Sequence, residues 1–458
     1  MGLLHRTAQI AEEHLAGLPD RRIGASLTYE DVLAMLDGPL PEAGEDADAV
    51  LEAVAALEPG MVATAGPRYF GFVTGGVLPA ALAADWLVST WDGPHFGRVP
   101  SPAGAAVEDV AARWLVEALR LPTQARVGFV TGATVANLVG LAAARHRVLA
   151  SAGWDVEEDG LTGAPAVGVL VGEEVHVSLL KALRILGFGS AGVVRVPVDA
   201  QGAMQPGPLA AALREGSGPA IVCAQVGNVN TGACDPMLPI VAAAREAGAW
   251  VHVDGAFGLW AAASPRLRAL VAGVDGADSW AVDAHKWLNV PYDCGVAIVA
   301  DAEAHAAAMS ASADYLGEAD GGLTKTPEMS RRGRQVPVYA ALRSLGRAGI
   351  AELVERCCAH AARLAAAMER LPGVAVLNDV VLNQVLLRFD DDDARTADVV
   401  DEVQRSGEAW VGGTRRQGAG AMRVSFSNWS TTDADVDRFA AAVSEALEAA
   451  RRAAATVG

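Results

Sequence analysis

The sequence predicts an α/β protein with a mainly parallel, seven-stranded sheet flanked by helices, and a smaller C-terminal α+β domain. Between about residues 125 and 300, short β-rich apolar runs alternate with Ala-rich helical stretches, the pattern of a sheet that helices cover on both faces. A long helical region and two further apolar runs follow. The length of 458 residues is also more than one ordinary domain needs.

The elements are expected in this order. Residues 1–60 predict helical segments joined by polar loops, too short for an independent domain. A large domain follows over residues 61–335, with strands predicted at 127–131, 166–171, 193–196, 220–226, 250–254, 279–283 and 295–299. The C-terminal domain, residues 336–458, should contain a helix over 336–371, apolar runs at 374–377 and 381–389, and a final helix from about residue 433.

Composition restricts the classes of partner. The net charge of −19 disfavours nucleic acid and acidic membrane surfaces, and the apolar stretches are too short for a membrane span. The five cysteines are odd in number and match no zinc spacing, which favours buried free thiols in a reducing compartment: Cys223, Cys234, Cys294, Cys357 and Cys358. We therefore expect a cytoplasmic protein without a metal site.

A lysine follows the predicted strand in the segment SWAVDAHKW, residues 279–287. Open α/β sheets bind their ligands beyond the carboxyl ends of the strands, where Lys286 and the adjacent His285 would lie. An amine partly removed from water there can attack an aldehyde. A lone lysine at a strand end is more often a surface residue, so the interpretation depends on the motifs that accompany it.

An aspartate ends the preceding strand in WVHVDGAF, residues 250–257. A carboxylate beside a pyridine nitrogen keeps that nitrogen protonated, which makes the ring an electron sink. The small side chain of Ala256 would let a flat ring lie close. Taken alone, Asp254 could equally be a helix N-cap.

Two further turns complete the pattern. In FVTGATVAN, residues 129–137, the Gly132-Ala133-Thr134 turn leads into a helix whose first N–H groups suit a phosphate. In GEEVHVS, residues 172–178, His176 could lay its imidazole on a cofactor ring. Each signal is weak alone, since βα turns often use small residues and histidines often start helices.

In this order, TGAT, HVS, HVDGA and DAHKW resemble the motifs of the group II pyridoxal-phosphate-dependent decarboxylases, which include the aromatic-L-amino-acid, histidine and glutamate decarboxylases. The resemblance runs from about residue 67 to the final helix. It implies pyridoxal 5'-phosphate as the cofactor, an amino acid as the substrate, and the fold type I architecture with residues 61–335 as the cofactor-binding domain. It also implies a homodimer with its active site at the subunit interface.

The resemblance assigns a role to each matching residue. Lys286 becomes the Schiff-base lysine, Asp254 the partner of the ring nitrogen, and His176 and Ala256 the contacts of the two ring faces. The phosphate side is assigned to Gly132, Ala133, Thr134 and Asp283, where Asp283 is expected to order neighbouring donors rather than contact phosphate. His285 is assigned to proton transfer or to the phosphate side, and Val229 stands where relatives often have threonine.

The substrate side is less specific. The segments at residues 67–72 and 91–96 resemble the entry region of the family, which makes Tyr69, Phe72, Trp91 and His95 candidate substrate contacts. Aromatic residues at such positions are more often part of a core. A substrate carboxylate could meet Arg68, Arg98 or Arg423, and the sequence does not choose between them.

One departure from the family bears on the reaction. In aromatic-amino-acid decarboxylases a loop after the lysine strand carries a tyrosine that protonates Cα once carbon dioxide has left. Residues 321–332 here contain no tyrosine, and Tyr315 lies upstream. The expected activity is decarboxylation of an L-amino acid, with aromatic and apolar ones as the candidates, through a Lys286 Schiff base and a quinonoid intermediate. The alternatives are an aldehyde-forming decarboxylase or a carbon–carbon lyase on the same scaffold, and a non-catalytic paralogue that binds the cofactor.

Overall fold

The computed structural model describes residues 2–311 and 321–457 and divides into two compact units. The first comprises Met1–Gly76, Arg363–Leu377 and Val385–Gly458, and the second comprises Val77–Ala362 with Asn378–Gln384. This division differs from the predicted boundaries at 60/61 and 335/336. The reason is that residues before Gly76 make their contacts with residues far along the chain. For example, the backbone N–H of Ile23 donates to the carbonyl of Gly407 over 2.9 Å.

Helices account for much of the described chain. They are α1 Leu3–Gly17, α2 Tyr29–Leu36, α3 Ala47–Ala55, α4 Pro79–Trp91, α5 Pro102–Ala118, α6 Ala133–Ser151, α7 Val156–Asp159, α8 Val177–Ile185, α9 Pro206–Glu215, α10 Met237–Glu246, α11 Ala302–Met309, α12 Gln335–Met368, α13 Asp393–Ser406 and α14 Asp433–Val457. The predicted helix over 336–371 is α12, interrupted at Gly346, whose φ of 60° is left-handed and suits glycine. Short 3₁₀ turns lie at Glu58–Gly60, Gly258–Ala263, Arg268–Val271, Val274–Gly276 and Gly321–Thr324.

The second unit contains a seven-stranded sheet in the described part of the chain. Its strands are β1 Arg126–Val130, β2 Gly168–Gly172, β3 Val193–Val196, β4 Ala220–Gln225, β5 Trp250–Asp254, β6 Ser279–Asp283 and β7 Gly295–Val299. The spatial order is β1-β7-β6-β5-β4-β2-β3. Pairs among β2 to β6 are parallel, and β7 runs antiparallel to both of its neighbours. The predicted α/β architecture is confirmed.

The topology brings several strand ends to one edge of this sheet. Because β1 and β6 both oppose β7, their carboxyl ends lie on the same side as those of β2, β4 and β5. Strands β5, β6 and β7 are buried along their whole length, as expected for strands covered on both faces. Side chains that follow these strands are therefore held by a rigid, dry scaffold.

The first unit contains a four-stranded sheet, again within the described residues. It is ordered β10-β11-β9-β8, with β8 Val374–Val376, β9 Gln384–Phe389, β10 Gly412–Arg416 and β11 Ala419–Ser425. The sequence predicted β8 and β9 but not the β10–β11 hairpin. Strand β10 reads GGTRR and is nowhere fully buried, so it lacks the apolar alternation that marks a strand.

None of the helices in residues 2–311 and 321–457 has the length and apolar character needed to cross a bilayer. All five cysteines are free thiols. Within the same residues, no group of three His, Cys, Asp or Glu side chains is arranged to hold a metal ion.

Candidate active site

The motifs singled out in the sequence meet in one cavity at the carboxyl edge of the seven-stranded sheet. The cavity measures about 190 Å³ and lies within the second unit. Its lining includes every residue that the sequence assigned to the cofactor, together with five neighbours: Gly132, Ala133, Thr134, His176, Ser178, Gln225, Gly227, Val229, Asp254, Ala256, Phe257, Asp283, His285 and Lys286. Loops more than 100 residues apart in sequence thus build a single site.

Lys286 is held at this cavity by an ion pair. Its Nζ lies 3.0 Å from Oδ2 of Asp283, whose side chain is 4% exposed while that of Lys286 is 18% exposed. The other oxygen of Asp283 accepts the backbone N–H of Ala133 over 2.7 Å. Asp283 therefore joins the lysine to the turn at the start of α6, and the amine keeps limited access to solvent.

No other lysine lines the cavity in the described residues. The chain contains three lysines, and Lys181 is an exposed residue of α8. The Nζ of Lys325 lies 2.9 Å from a carboxylate oxygen of buried Glu108 in a part of the unit that shares no residue with this cavity. An amine that reacts with an aldehyde in this cavity must therefore be that of Lys286.

Asp254 ends β5 with its carboxylate at the cavity. Oδ1 accepts the backbone N–H of Ala256 over 3.2 Å, and Oδ2 accepts the side-chain amide of Asn137, also over 3.2 Å. A carboxylate oxygen accepts more than one hydrogen bond, so a further acceptor position remains for a ligand N–H. Two donors from separate elements fix the orientation of the carboxylate.

His285 precedes the lysine and is turned back onto the protein. Its Nδ1 lies 2.8 Å from the carbonyl oxygen of Cys294, its Nε2 lies 3.7 Å from Oδ1 of Asp283, and its ring stacks on Tyr292 with centroids 4.2 Å apart. Burial lowers the pKa of His285 below its ordinary value, although the Asp283 carboxylate acts in the opposite direction. The Cys294 backbone N–H also lies 3.3 Å from Nδ1, so Nδ1 has a partner at Cys294 in either tautomer of the ring.

His176 both starts a helix and lines the cavity. It is the N-cap of α8, where the backbone N–H of Ser178 donates to Nδ1 over 3.3 Å and the Ser178 hydroxyl lies 2.7 Å from the same atom. Because Nδ1 accepts the backbone hydrogen bond, a neutral His176 carries its proton on Nε2. The capping contact fixes the ring of a side chain that lines the cavity.

The turn before α6 supplies the remaining polar groups. The Ala133 N–H is already committed to Asp283. The Thr134 N–H and hydroxyl have no partner among the described residues and line the cavity. A phosphate at this helix N-terminus would therefore meet Thr134 first.

Gly295 makes room for this turn. A Cβ at position 295 would lie 2.5 Å from the Gly132 backbone, which cannot move without shifting the start of α6. We expect Gly295→Ala to lower the free energy of unfolding by about 1–3 kcal/mol and to weaken cofactor binding. Denaturant unfolding measures the first effect and a cofactor titration the second. Gly413→Ala, where an added Cβ meets no atom within 4 Å, is the matched control, and equal effects of the two substitutions would contradict this role.

The structure does not bring the predicted substrate contacts of the second unit to the cavity. Trp91 ends α4 with 63% of its surface exposed, and neither it nor His95 lines the cavity. His95 is buried, with Nδ1 within 3.3 Å of the Ser101 hydroxyl and 3.2 Å of the Gln335 amide. These polar contacts hold the His95 ring in place, and the contact of His95 or Trp91 with a substrate stays a prediction.

The other candidates belong mostly to the first unit. Tyr69 is buried against Trp410 with ring centroids 5.1 Å apart, and Phe72, which is exposed, contacts the same indole; their contact with a substrate stays a prediction. Arg68 is buried and donates to the carbonyls of Pro19, Arg21 and Glu408, so it is not available for a substrate carboxylate. Arg423 is largely buried, which lowers its pKa, and the exposed Arg98 lies 3.5 Å from Asp109.

The segment at residues 321–332, which lacks the tyrosine, is anchored by ion pairs. Lys325 and Arg331 both contact the buried carboxylate of Glu108, and Arg331 Nε donates to the carbonyl of His95 over 2.6 Å. A Cβ at Gly128 on β1 would lie 2.4 Å from the carbonyl oxygen of Lys325, so this segment packs closely on the sheet. Tyr315, the suggested substitute, lies outside the described residues.

A buried histidine beside this segment predicts acid sensitivity. His305 Nε2 lies 2.9 Å from the Lys325 carbonyl, and burial lowers the His305 pKa to about 4. Unfolded histidine binds a proton near pH 6.5, so between about pH 6.5 and 4 the unfolded chain binds more protons than the native one. The free energy of unfolding should therefore fall with decreasing pH, by up to about 1.4 kcal/mol per unit for this residue.

We expect His305→Gln to make this pH dependence shallower between pH 6.5 and 4, whatever its effect on the absolute stability. Urea unfolding at several pH values measures the slope. His5→Gln, at an exposed residue of α1, should leave the slope unchanged. A His305→Gln slope equal to that of the unsubstituted protein would show that His305 takes up a proton in the native state.

Sequence reasoning missed the residues behind Asp254. Asn137 and His252 are fully buried and connected by a hydrogen bond of 2.8 Å. Two signals were present: His252 lies two residues before Asp254 on the same face of β5, and Asn137 lies three residues after Thr134 on the same side of α6. Neither spacing indicates chemistry without the pairing of helix and strand.

Comparison with known proteins identifies the family. The family described as "Pyridoxal-dependent decarboxylase conserved domain" matches residues 30–390. Tryptophan decarboxylase 1 of Oryza sativa subsp. japonica is 30% identical over 318 residues, covering 64% of this chain and 61% of that protein. L-2,4-diaminobutyrate decarboxylase of Rhizobium meliloti (strain 1021) is 29% identical over 377 residues, covering 79% of this chain and 73% of that protein.

The fold has solved counterparts. The crystal structure of Oryza sativa TDC with PLP and tryptamine superposes with a TM-score of 0.90 at 22% identity, covering 97% of this chain and 96% of that one. The cavity fits the cofactor that the family name states, because an amine, a fixed carboxylate and a helix-start N–H without a partner line the same space. The chain therefore belongs to the pyridoxal-dependent decarboxylase family, with pyridoxal phosphate as its cofactor.

Proposed function

We propose that the protein is an amino-acid decarboxylase that uses pyridoxal phosphate. The observation that carries the proposal is the placement of Lys286 and Asp254 at one cavity in a chain of this family. An aldehyde bound to the amine and a ring nitrogen beside the carboxylate would both be satisfied there. When bound, the cofactor supplies an electron sink for the bond that breaks at the substrate Cα.

The residues of the chain would divide the binding of the cofactor. Lys286 would hold its aldehyde carbon, Asp254 its ring nitrogen, and Thr134 with the adjoining turn its phosphate. His176 and Ala256 would contact the two faces of the ring. Asp283 would order the Ala133 N–H and the lysine amine, to which it is already bonded. His285, held by Cys294, would close the phosphate side.

The proposed substrate is an α-amino acid with an apolar or aromatic side chain. The two relatives are named for a large aromatic and a short basic substrate, so similarity at this level does not select between them. The cavity lining supplies Phe257 and Val229 as apolar contacts and Gln225 as a polar one. This mixture favours an apolar or aromatic side chain over a strongly charged one.

The product depends on where Cα receives its proton. In simple decarboxylation the carboxylate leaves as carbon dioxide and a proton takes its place, which yields an amine. The absence of tyrosine from residues 321–332 favours one second candidate. In it, dioxygen accepts the electrons instead, and the amino acid, dioxygen and water yield an aldehyde, carbon dioxide, ammonia and hydrogen peroxide.

A product screen tests both candidates. The protein loaded with pyridoxal phosphate is incubated with single L-amino acids, and carbon dioxide, amine, aldehyde, ammonia and hydrogen peroxide are quantified with and without dioxygen. We expect equal amounts of amine and carbon dioxide, independent of dioxygen. Aldehyde with ammonia, formed only with dioxygen, would replace the first candidate by the second. Cofactor binding without any carbon dioxide release from the twenty standard amino acids would contradict both.

We also propose a homodimer in the cytoplasm. Support for the dimer comes from the family resemblance and from α4, which exposes Trp86, Leu87 and Trp91 by 41%, 47% and 63%. Faces of this kind usually pack against a partner. Five unpaired cysteines are typical of a reducing compartment. Sedimentation equilibrium should give twice the chain mass of 47.1 kDa, and a species of one chain mass would contradict the dimer.

A further inference from the structure

Five side chains behind the cavity form a continuous chain of hydrogen bonds that ends at Asp254. The Trp250 indole Nε1 lies 2.9 Å from the Ser279 hydroxyl, and that hydroxyl lies 2.8 Å from His252 Nδ1. His252 Nε2 lies 2.8 Å from Asn137 Oδ1, and Asn137 Nδ2 lies 3.2 Å from Asp254 Oδ2. The chain joins β5, β6 and α6.

The Asp254 end of the chain determines the direction of its bonds. An ionised carboxylate can only accept, so the Asn137 amide nitrogen donates to Asp254. Asn137 Oδ1 then accepts from His252 Nε2, which must carry the ring proton. The Nδ1 of a neutral His252 therefore accepts the Ser279 hydroxyl proton. At the other end the indole nitrogen can only donate, and the Ser279 oxygen has a lone pair to accept from it.

The chain is sealed from water. Residues Asn137, His252 and Ser279 are 0% exposed and Trp250 is 5% exposed, and unpaired polar groups at such depth are costly. Room for the imidazole depends on Gly140 of α6, where a Cβ would lie 2.6 Å from His252 Cε1 and 3.2 Å from the Ser279 hydroxyl. Helix α6 therefore has glycine next to the His252 imidazole and asparagine at the position that hydrogen-bonds to this imidazole.

We propose that Asn137, His252 and Ser279 are positioning residues that orient the Asp254 carboxylate toward the protonated nitrogen of a heteroaromatic cofactor. The inference rests on the proposed function in one respect, that Asp254 faces the cofactor ring. With Oδ2 held by Asn137 and Oδ1 by the Ala256 N–H, the carboxylate cannot rotate away from the cavity. All donors in the chain are directed toward its negative charge, which strengthens each bond in a low-dielectric interior.

His252 orients the carboxylate without exchanging protons in this arrangement. Burial lowers its pKa to about 3, so the ring is neutral throughout the range in which enzymes of this kind are assayed. A charged His252 would have a proton on both nitrogens. The proton on Nδ1 would then face the proton that the Ser279 hydroxyl donates in this arrangement. The neutral ring therefore serves as a fixed link between strand β6 and helix α6.

The proton position on His252 can be measured in the protein before any cofactor is added. Nitrogen-15 labelling of the nine histidines, with His252 assigned by its loss in His252→Gln, distinguishes a protonated Nε2 from a protonated Nδ1. We expect an unprotonated Nδ1 and a protonated Nε2, unchanged from pH 5 to 9. A proton on Nδ1, or a ring that becomes charged above pH 5, would overturn the proposed order.

Variants test whether this chain of hydrogen bonds affects the binding of the cofactor. Asn137→Leu and His252→Leu remove the donors without adding charge, and a hydrogen bond to a charged group corresponds to about 10- to 100-fold in affinity. We expect both to raise the pyridoxal-phosphate dissociation constant by that factor and to lower the pH at which the ring nitrogen of the bound cofactor, followed by nitrogen-15 labelling, loses its proton. His252→Gln keeps an N–H at the position of Nε2 and should restore the affinity to within about 3-fold of the unsubstituted protein.

The outcomes separate this inference from the proposed function. If His252→Leu and His252→Gln weaken cofactor binding equally in proteins of equal melting temperature, the ring only fills space and the inference is wrong. If the unsubstituted protein binds no pyridoxal phosphate while His252 shows the expected proton position, the proposed function fails and the order of hydrogen bonds remains. If the protein binds the cofactor but His252 carries its proton on Nδ1, the inference is wrong and the proposed function is unaffected.

Discussion

Replacing Lys286 by alanine is expected to remove the visible absorbance band of the bound cofactor and to reduce the rate of carbon dioxide release by about 10³-fold or more. The reason is that no other amine lines the cavity among the described residues, since Lys181 is exposed on α8 and Lys325 is paired with Glu108. Spectra of the purified protein and single-turnover assays measure the two effects.

The small number of lysines makes the modified residue easy to identify. With three lysines in the chain, borohydride reduction followed by peptide mapping has three side chains to distinguish. Lys181→Ala is the matched control, and it should retain both the band and the activity. A reduced cofactor adduct on Lys181 or Lys325 in the unsubstituted protein would refute the assignment of Lys286.

Replacing Asp254 by asparagine is expected to lower kcat/KM by about 10²- to 10³-fold, the range seen when one preorganised electrostatic contact is removed. Asparagine has the shape of aspartate but no charge, so it cannot keep a ring nitrogen protonated. Its side chain also has only one acceptor oxygen in place of two. One of the two donors, the Ala256 N–H or the Asn137 amide, would therefore face an NH2 group instead of an acceptor. Steady-state kinetics with saturating cofactor separate this loss from weaker cofactor binding.

Asp278 offers a control in the same region of sequence. It precedes β6 at the opposite edge of the sheet, where its carboxylate accepts the Val251 N–H over 2.7 Å, and it does not line the cavity. Asp278→Asn should change stability more than kcat/KM. If Asp254→Asn and Asp278→Asn reduced kcat/KM to the same extent, the effect would be one of folding and the assignment of Asp254 would fail.

Much of the sheet was predictable because burial imposes a simple pattern. The bounds predicted for β3, β5, β6 and β7 coincide with the observed ones, and β1, β2 and β4 differ by one or two residues at their ends. These strands are apolar and separated by helices, so periodicity alone locates them. Strand β10 was missed since its GGTRR sequence is stabilised by pairing with β11, which no local pattern reports.

The residues of the site also differ in whether a local sequence pattern indicates them. Asp254 and Lys286 are recognisable because each carries a charge at the end of an apolar strand, where open α/β sheets bind their ligands. Asn137 and His252 did not stand out, because their significance depends on the packing of α6 on β5. The surroundings of His95 were hidden for a related reason, because its Nδ1 lies 3.2 Å from the side-chain amide of Gln335, more than 200 residues away. Its contact with a substrate stays a prediction.

The discontinuous first unit has a consequence for biosynthesis. Its first 76 residues contact residues 363–377 and 385–458, through pairs such as the Phe70 N–H with the Trp410 carbonyl. On the ribosome this opening segment emerges well before its partners are translated, whereas Val77–Ala362 emerges as one block. We therefore expect the cofactor-binding block to acquire structure in the nascent chain while the residues up to Gly76 stay without their partners until residues 363–458 have been translated.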